Sequence, residues 1–103
     1  MWYDSRMRTH VLSGAREYLT SLSEKEQAVF RGALDVLGNY GEGLVHTKQL
    51  RGPIRELIIA HHRVTYFRLG NTVYFVRGFR KKSRKTPRQE IEYAERTYRL
   101  LTQ

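Results

Sequence analysis

Between residues 77 and 88 the chain reads Arg-Gly-Phe-Arg-Lys-Lys-Ser-Arg-Lys-Thr-Pro-Arg. Arg77, Arg80, Lys81, Lys82, Arg84, Lys85 and Arg88 stand there with no acid between them. Before them lies the apolar run Thr-Val-Tyr-Phe-Val, and Thr86-Pro87 leads into a helix. Cations gathered where a strand meets a helix are best repaid by a polyanion, and phosphate backbones are the commonest one. Lys48, Arg51 and Arg55 form a second basic group, suited to backbone contacts along a nucleic-acid groove. His61-His62 sits at an expected hairpin corner. A histidine there can act as acid or base near neutral pH, or can simply be a turn residue.

Metal-free cleavage of RNA would use these residue types. The 2′-hydroxyl must lose a proton, the phosphate must be stabilised as it gains charge, and the leaving oxygen must be protonated. Arginine suits the second task, because its fork spans two phosphate oxygens and keeps its charge. Lysine or histidine can do the third. No thiol is available, since the chain has 0 cysteines, and no histidine pair has helical i, i+4 spacing. Disulfides, thiol nucleophiles and thiolate metal sites are excluded, and neither metal nor cofactor is expected.

The 103 residues suit one domain. A hydrophobic content of 40% is enough for a small core, and 19 Lys+Arg against 10 Asp+Glu leave a net charge of +9. That balance points to nucleic acid, a ribosomal surface or an acidic protein partner. The first ten residues lack the apolar core of a signal peptide, and no run is long enough to cross a bilayer. A soluble cytoplasmic protein with no membrane partner is expected, with residues 1–6 as a loose leader.

The elements follow from spacing. Residues 7–12 suit a short first strand. Ala15, Tyr18, Leu19 and Leu22 are spaced for a short helix. Ser-Glu-Lys-Glu from Ser23 is a capping box opening a second helix over about 24–38, with Phe30, Ala33, Leu34 and Leu37 as its buried stripe. Ile54–Ala60, Arg63–Leu69 and Thr72–Gly78 are expected strands, the last two joined by a Gly70-Asn71 turn. A tight turn sets Tyr66 opposite Phe75 and Phe67 opposite Tyr74, and puts Arg77 on one face with Arg68. Thr86 as cap, Pro87 at the first helical position and Gln89 as the third predict a final helix. The expected fold is α+β: an N-terminal helical hairpin on a small twisted antiparallel sheet of three to four strands, with a C-terminal helix and all helices on one face.

LSGAREYLTSLSEKEQ, KQLRGPIRELII, RVTYF and VYFVRGFRKKSRKTPRQEIEYAERTY together resemble the RelE/ParE toxin superfamily, nearest its HigB-like, phage-derived branch. The likeness covers about residues 12–100. It implies a toxin of a type II toxin–antitoxin module. RelE- and HigB-like members are ribosome-dependent mRNA endonucleases, whereas ParE-like members poison DNA gyrase. A non-toxic RNA-binding relative is a further alternative. The implied partners are the ribosome with its mRNA and a HigA-like antitoxin with a helix-turn-helix domain. Carried over position by position, the resemblance makes Arg63 and Arg80 the functional arginines, with Lys82 and Lys81 beside Arg80. The site set is then Arg63, Arg80, Lys82 and His62 for catalysis, and Lys48, Arg51, Arg55, Arg77, Lys81, Arg84 and Lys85 for RNA or ribosome contact. The chain departs from the family where Glu56 and Ile58 stand in place of basic residues, and where no tyrosine opens the last helix.

Overall fold

The computed structural model describes residues 7–103, so the expected leader over 1–6 lies outside the described residues. A short strand, β1 (Arg8–Val11), leads into helices α1 (Ser13–Thr20) and α2 (Glu24–Tyr40). Ser23 begins α2 by accepting the Glu26 amide at 3.2 Å, as the capping box requires. Gly41 ends it with φ 78. A 3-10 turn over 42–44 is followed by β2 (His46–Arg51), β3 (Ile54–Ile59), β4 (His62–Leu69), β5 (Thr72–Arg80) and α3 (Arg88–Thr102).

The strands form one sheet in the order β1-β5-β4-β3-β2. It has five strands where three to four were expected. The missed one is β2, whose polar sequence and mostly exposed side chains give an edge strand no apolar alternation. The sheet is also mixed, because β1 runs parallel to β5. The tight turn is present: Gly70 has φ 60, Tyr66 pairs with Phe75, and Phe67 pairs with Tyr74.

Both faces of the sheet are covered, which corrects the expectation of helices on one side. Ala15, Leu19, Phe30, Leu34 and Leu37 of the helical hairpin pack on Leu57, Val64, Tyr66, Val73 and Phe75. On the opposite face Ala94 of α3 packs with Ile54, Phe67 and Val76, and Tyr98 meets Phe67 edge-on at 5.1 Å. Period-two alternation explains the division, since successive residues of β4 face opposite layers. With apolar residues on both faces, the strands alone do not reveal which layer each helix takes.

One irregularity reorganises the end of this sheet. The β4–β5 register shifts between Thr65 and Tyr66, so that Thr65 pairs with Arg77 and Val64 with Gly78. An extra residue in β5 reverses the facing of everything after it. Gly78 therefore lies under α1, where a Cβ would stand 2.5 Å from Cδ2 of Tyr18. Arg77 is turned to the α3 layer, away from Arg68, which corrects the shared face expected for the two.

Gly78→Ala is expected to lower stability by about 1–3 kcal/mol, because the Tyr18 ring has to move out of a packed layer. Thermal unfolding measures this. Gly32→Ala, where an added Cβ meets nothing within 4 Å, is the control and is expected to be neutral or stabilising.

Candidate active site

The ends of β3, β4 and β5 and the loop over 81–87 enclose a small pocket on the α3 side. Its floor holds Glu56 and Arg63, 4% and 8% exposed. Burying charges is costly unless they find partners. The Thr86 hydroxyl donates to Oε1 of Glu56 at 2.6 Å, and Nε of Arg63 lies 3.9 Å from Oε2. Nη1 of Arg63 donates to the carbonyls of Ala60 and His62, at 2.9 Å each. Nη2 makes no hydrogen bond among the described residues.

Thr86 is thereby diverted from its expected role. Helix α3 starts at Arg88, its cap is Pro87 with no side-chain hydrogen bond, and the Thr86–Gln89 capping box does not form. The hydroxyl serves a buried carboxylate 30 residues away in sequence. Above that floor Lys81, Lys82, Arg84 and Lys85 are exposed, and none meets a carboxylate within ion-pair distance among the described residues. The last cation of the run, Arg88, is paired with Glu92 at 3.4 Å. Lys48 of β2 is exposed and stands in register with Glu56, on the pocket's side of the sheet.

The expected catalytic set is divided by the sheet. Arg63 and Lys82 line the pocket. Arg80 belongs to β5 itself and pairs with His62, so both face the helical hairpin. His62 is 4% exposed and has both ring nitrogens engaged: Nδ1 lies 2.6 Å from the Tyr18 hydroxyl, and Nε2 3.0 Å from Oε2 of Glu26. Phe30 packs edge-on against its ring. Burial pushes the Tyr18 hydroxyl up, the Arg80 charge pulls it down, and Glu26 raises it again. Glu26 is held below the ordinary carboxylate range, first by its hydrogen bond from His62, with Ser23 adding to it.

Three of the expected RNA contacts are engaged elsewhere. Arg51 grips Glu95 of α3 with two hydrogen bonds, 2.9 and 2.8 Å long. Arg55, on the hairpin side, is 2.7 Å from Glu42 and also donates to Tyr66 and Thr47. Tyr66 donates in turn to Glu42, and burial followed by that carboxylate pushes its hydroxyl up to about 12. Arg77 lies over the Tyr93 ring, 4.4 Å from its centroid, with Nε 3.0 Å from Oε1 of Glu90 though off the line of a hydrogen bond.

Glu56 and Thr86 are the site residues that sequence reasoning missed. Along the sequence Glu56 stands out only as a departure from the family pattern. The signal was present, since an acid within a strand that is apolar apart from Arg55 is costly to bury and calls for a reason.

The sheet with its helical hairpin and C-terminal helix is the fold of RelE toxins. The archaeal RelE–RelB complex from Pyrococcus horikoshii OT3 superposes with a TM-score of 0.65 at 15% identity, covering 78% of this chain and 99% of that one. The toxin–antitoxin complex RelBE2 from Mycobacterium tuberculosis gives 0.60 at 17% identity, over 74% and 99%. The YoeB dimer from Staphylococcus aureus gives 0.58 at 17%, over 76% and 99%. No curated protein sequence matches. Residues 17–99 match the family described as phage-derived protein Gp49-like, and the chain belongs to that family.

The Glu26–His62 contact makes stability depend on pH. Because its folded carboxyl is depressed, Glu26 contributes stability above the ordinary carboxylate pKa and loses it as pH falls through the depressed value. Glu26→Gln is therefore expected to show a smaller loss of melting temperature between neutral and acid pH than the parent, as read by thermal scans across that range.

Proposed function

We propose that this protein is the toxin of a type II toxin–antitoxin module and a metal-independent endoribonuclease that cuts mRNA on the ribosome. The observation that carries the reading is the buried Glu56–Arg63 floor opening beneath four exposed cations that have no acidic partner among the described residues. A purely structural ion pair has no need of such a rim. A scissile phosphate needs both parts, a fixed guanidinium at the reacting atoms and diffuse positive charge for the flanking backbone.

In this mechanism Arg63 clamps the phosphate and stabilises the charge that develops on it. Glu56 is the general base and takes the 2′-hydroxyl proton, and Thr86 fixes which carboxylate oxygen remains free. The 2′-oxygen attacks phosphorus, the bond to the 5′-oxygen breaks, and Lys82 supplies the proton that the leaving oxygen requires. The products are a 2′,3′-cyclic phosphate and a 5′-hydroxyl, with no change of oxidation state. Lys81, Arg84, Lys85 and Lys48 hold the backbone on either side. Arg80, on the other face, reaches only RNA or ribosome that wraps over the sheet end.

The partner is an antitoxin, in keeping with two of the structural neighbours having been solved as toxin–antitoxin complexes. An acidic or amphipathic segment, carried here by a HigA-like helix-turn-helix protein, would cover the basic loop. Its binding would weaken with salt.

The test is purified protein incubated with translating ribosomes, message ends being mapped. Cleavage confined to translated messages is expected. Intact messages together with inhibited DNA supercoiling would move the assignment to a gyrase poison. Glu56→Gln and Arg63→Ala are each expected to lower the rate by about 10²–10⁴-fold. Arg80→Ala should cost about tenfold or less. Replacing Lys81 and Lys85 together should flatten the salt dependence of RNA affinity, by about 0.7 in log–log slope for each phosphate no longer neutralised.

A further inference from the structure

Arg63 is held by main-chain carbonyls more than by its carboxylate. Nη1 donates both of its hydrogen bonds to the β3–β4 turn, at Ala60 and His62, whereas Glu56 stands 3.9 Å away. Where the fork points is therefore set by the conformation of that turn. Ala60 within it has φ 54, the left-handed region that a residue with a Cβ occupies at a cost. A turn of this kind persists only where its surroundings hold it in place.

Two contacts do so. On one side the Lys81 amide donates to the His61 carbonyl at 2.8 Å. On the other the His62 ring is fastened at both nitrogens to different helices, Tyr18 of α1 and Glu26 of α2. The Tyr18 ring is itself seated on Gly78, where there is no room for a side chain. The charged and titratable groups facing this imidazole are thus Tyr18 from α1, Glu26 from α2 and Arg80 from the paired strand.

We propose that the Tyr18–His62–Glu26 chain is a positioning device for Arg63: by locking the His62 ring from behind the sheet, it fixes the two carbonyls that aim the guanidinium into the pocket on the other side. His62 then acts on the phosphate site through its own main chain and never touches RNA. Glu26 is about half exposed, so the chain also gives the hairpin surface a hold on the site. With neutral imidazole, Nε2–H donates to Glu26 and Nδ1 accepts from the Tyr18 hydroxyl.

The inference builds on the role proposed for Arg63, yet its test does not need the protein to cleave anything. The guanidinium N–H signals of Arg63, assigned by their loss in Arg63→Lys, are compared by nitrogen-resolved NMR at neutral pH between the parent protein and variants that break the chain at either end. In Tyr18→Phe and Glu26→Gln the Arg63 signals are expected to shift or broaden at neutral pH while the amide spectrum remains that of a folded protein. Cleavage in both variants should fall about tenfold in kcat with RNA affinity and its salt slope unchanged, since no phosphate-binding cation has been removed. Arg63 signals unchanged in a folded Tyr18→Phe or a folded Glu26→Gln protein overturn the proposal. If the parent cleaves no RNA but Arg63 still responds to both substitutions, the relay stands and the nuclease reading fails.

Discussion

A single extra residue in β5 decides which charges share a face. From Leu69↔Thr72 to Tyr66↔Phe75 the paired strands advance one residue for one. Continued in that way, Arg77 would lie opposite Val64 and Arg80 opposite His61, which would put Arg80 on the face of Arg63. The shift at Thr65 sets Arg77 against Thr65 and Arg80 against His62 instead. Arg77 is handed to Glu90 and Tyr93 of α3. Arg80 goes to the hairpin side, and Gly78 becomes the bed on which Tyr18 lies. The pocket keeps Arg63 and Phe79, and beyond the strand the loop of lysines closes over it.

A net charge of +9 overstates the positive charge available to a ligand. Arg51, Arg55 and Arg77 each tie one element to another through a carboxylate, and such partly exposed pairs are worth little individually but fix geometry. Arg63 is different. A buried ion pair seldom adds stability over an apolar alternative, which favours the role proposed for Glu56 and Arg63. The exposed loop is held by short local bonds, such as Ser83 Oγ to the Lys85 carbonyl at 2.9 Å. That leaves its cations outward and solvated.

Local chemistry was legible in the residues. The Ser23 cap, the helix stripes, the Gly70 turn and the pairing of Tyr66 with Phe75 depend on neighbours a few positions apart, and each formed as its spacing implied. The Thr86 cap failed for an instructive reason: a buried carboxylate is a stronger claimant on a hydroxyl than an exposed helix amide that water can serve. β2 escaped notice because an edge strand is defined by the neighbour it pairs with rather than by alternation of its own.

The amino-acid sequence by itself determined the type and order of every strand and α-helix except β2, and a basic run fit for phosphate, because each follows from spacing, capping and charge along the chain. Tertiary structure alone decided that His62 and Arg63, adjacent in sequence, serve opposite sides of the sheet, and that Glu56 meets Thr86 and Arg63 while Arg80 does not. Those outcomes rest on strand register and on the competition of distant groups for partners. Both are settled only when the sheet closes.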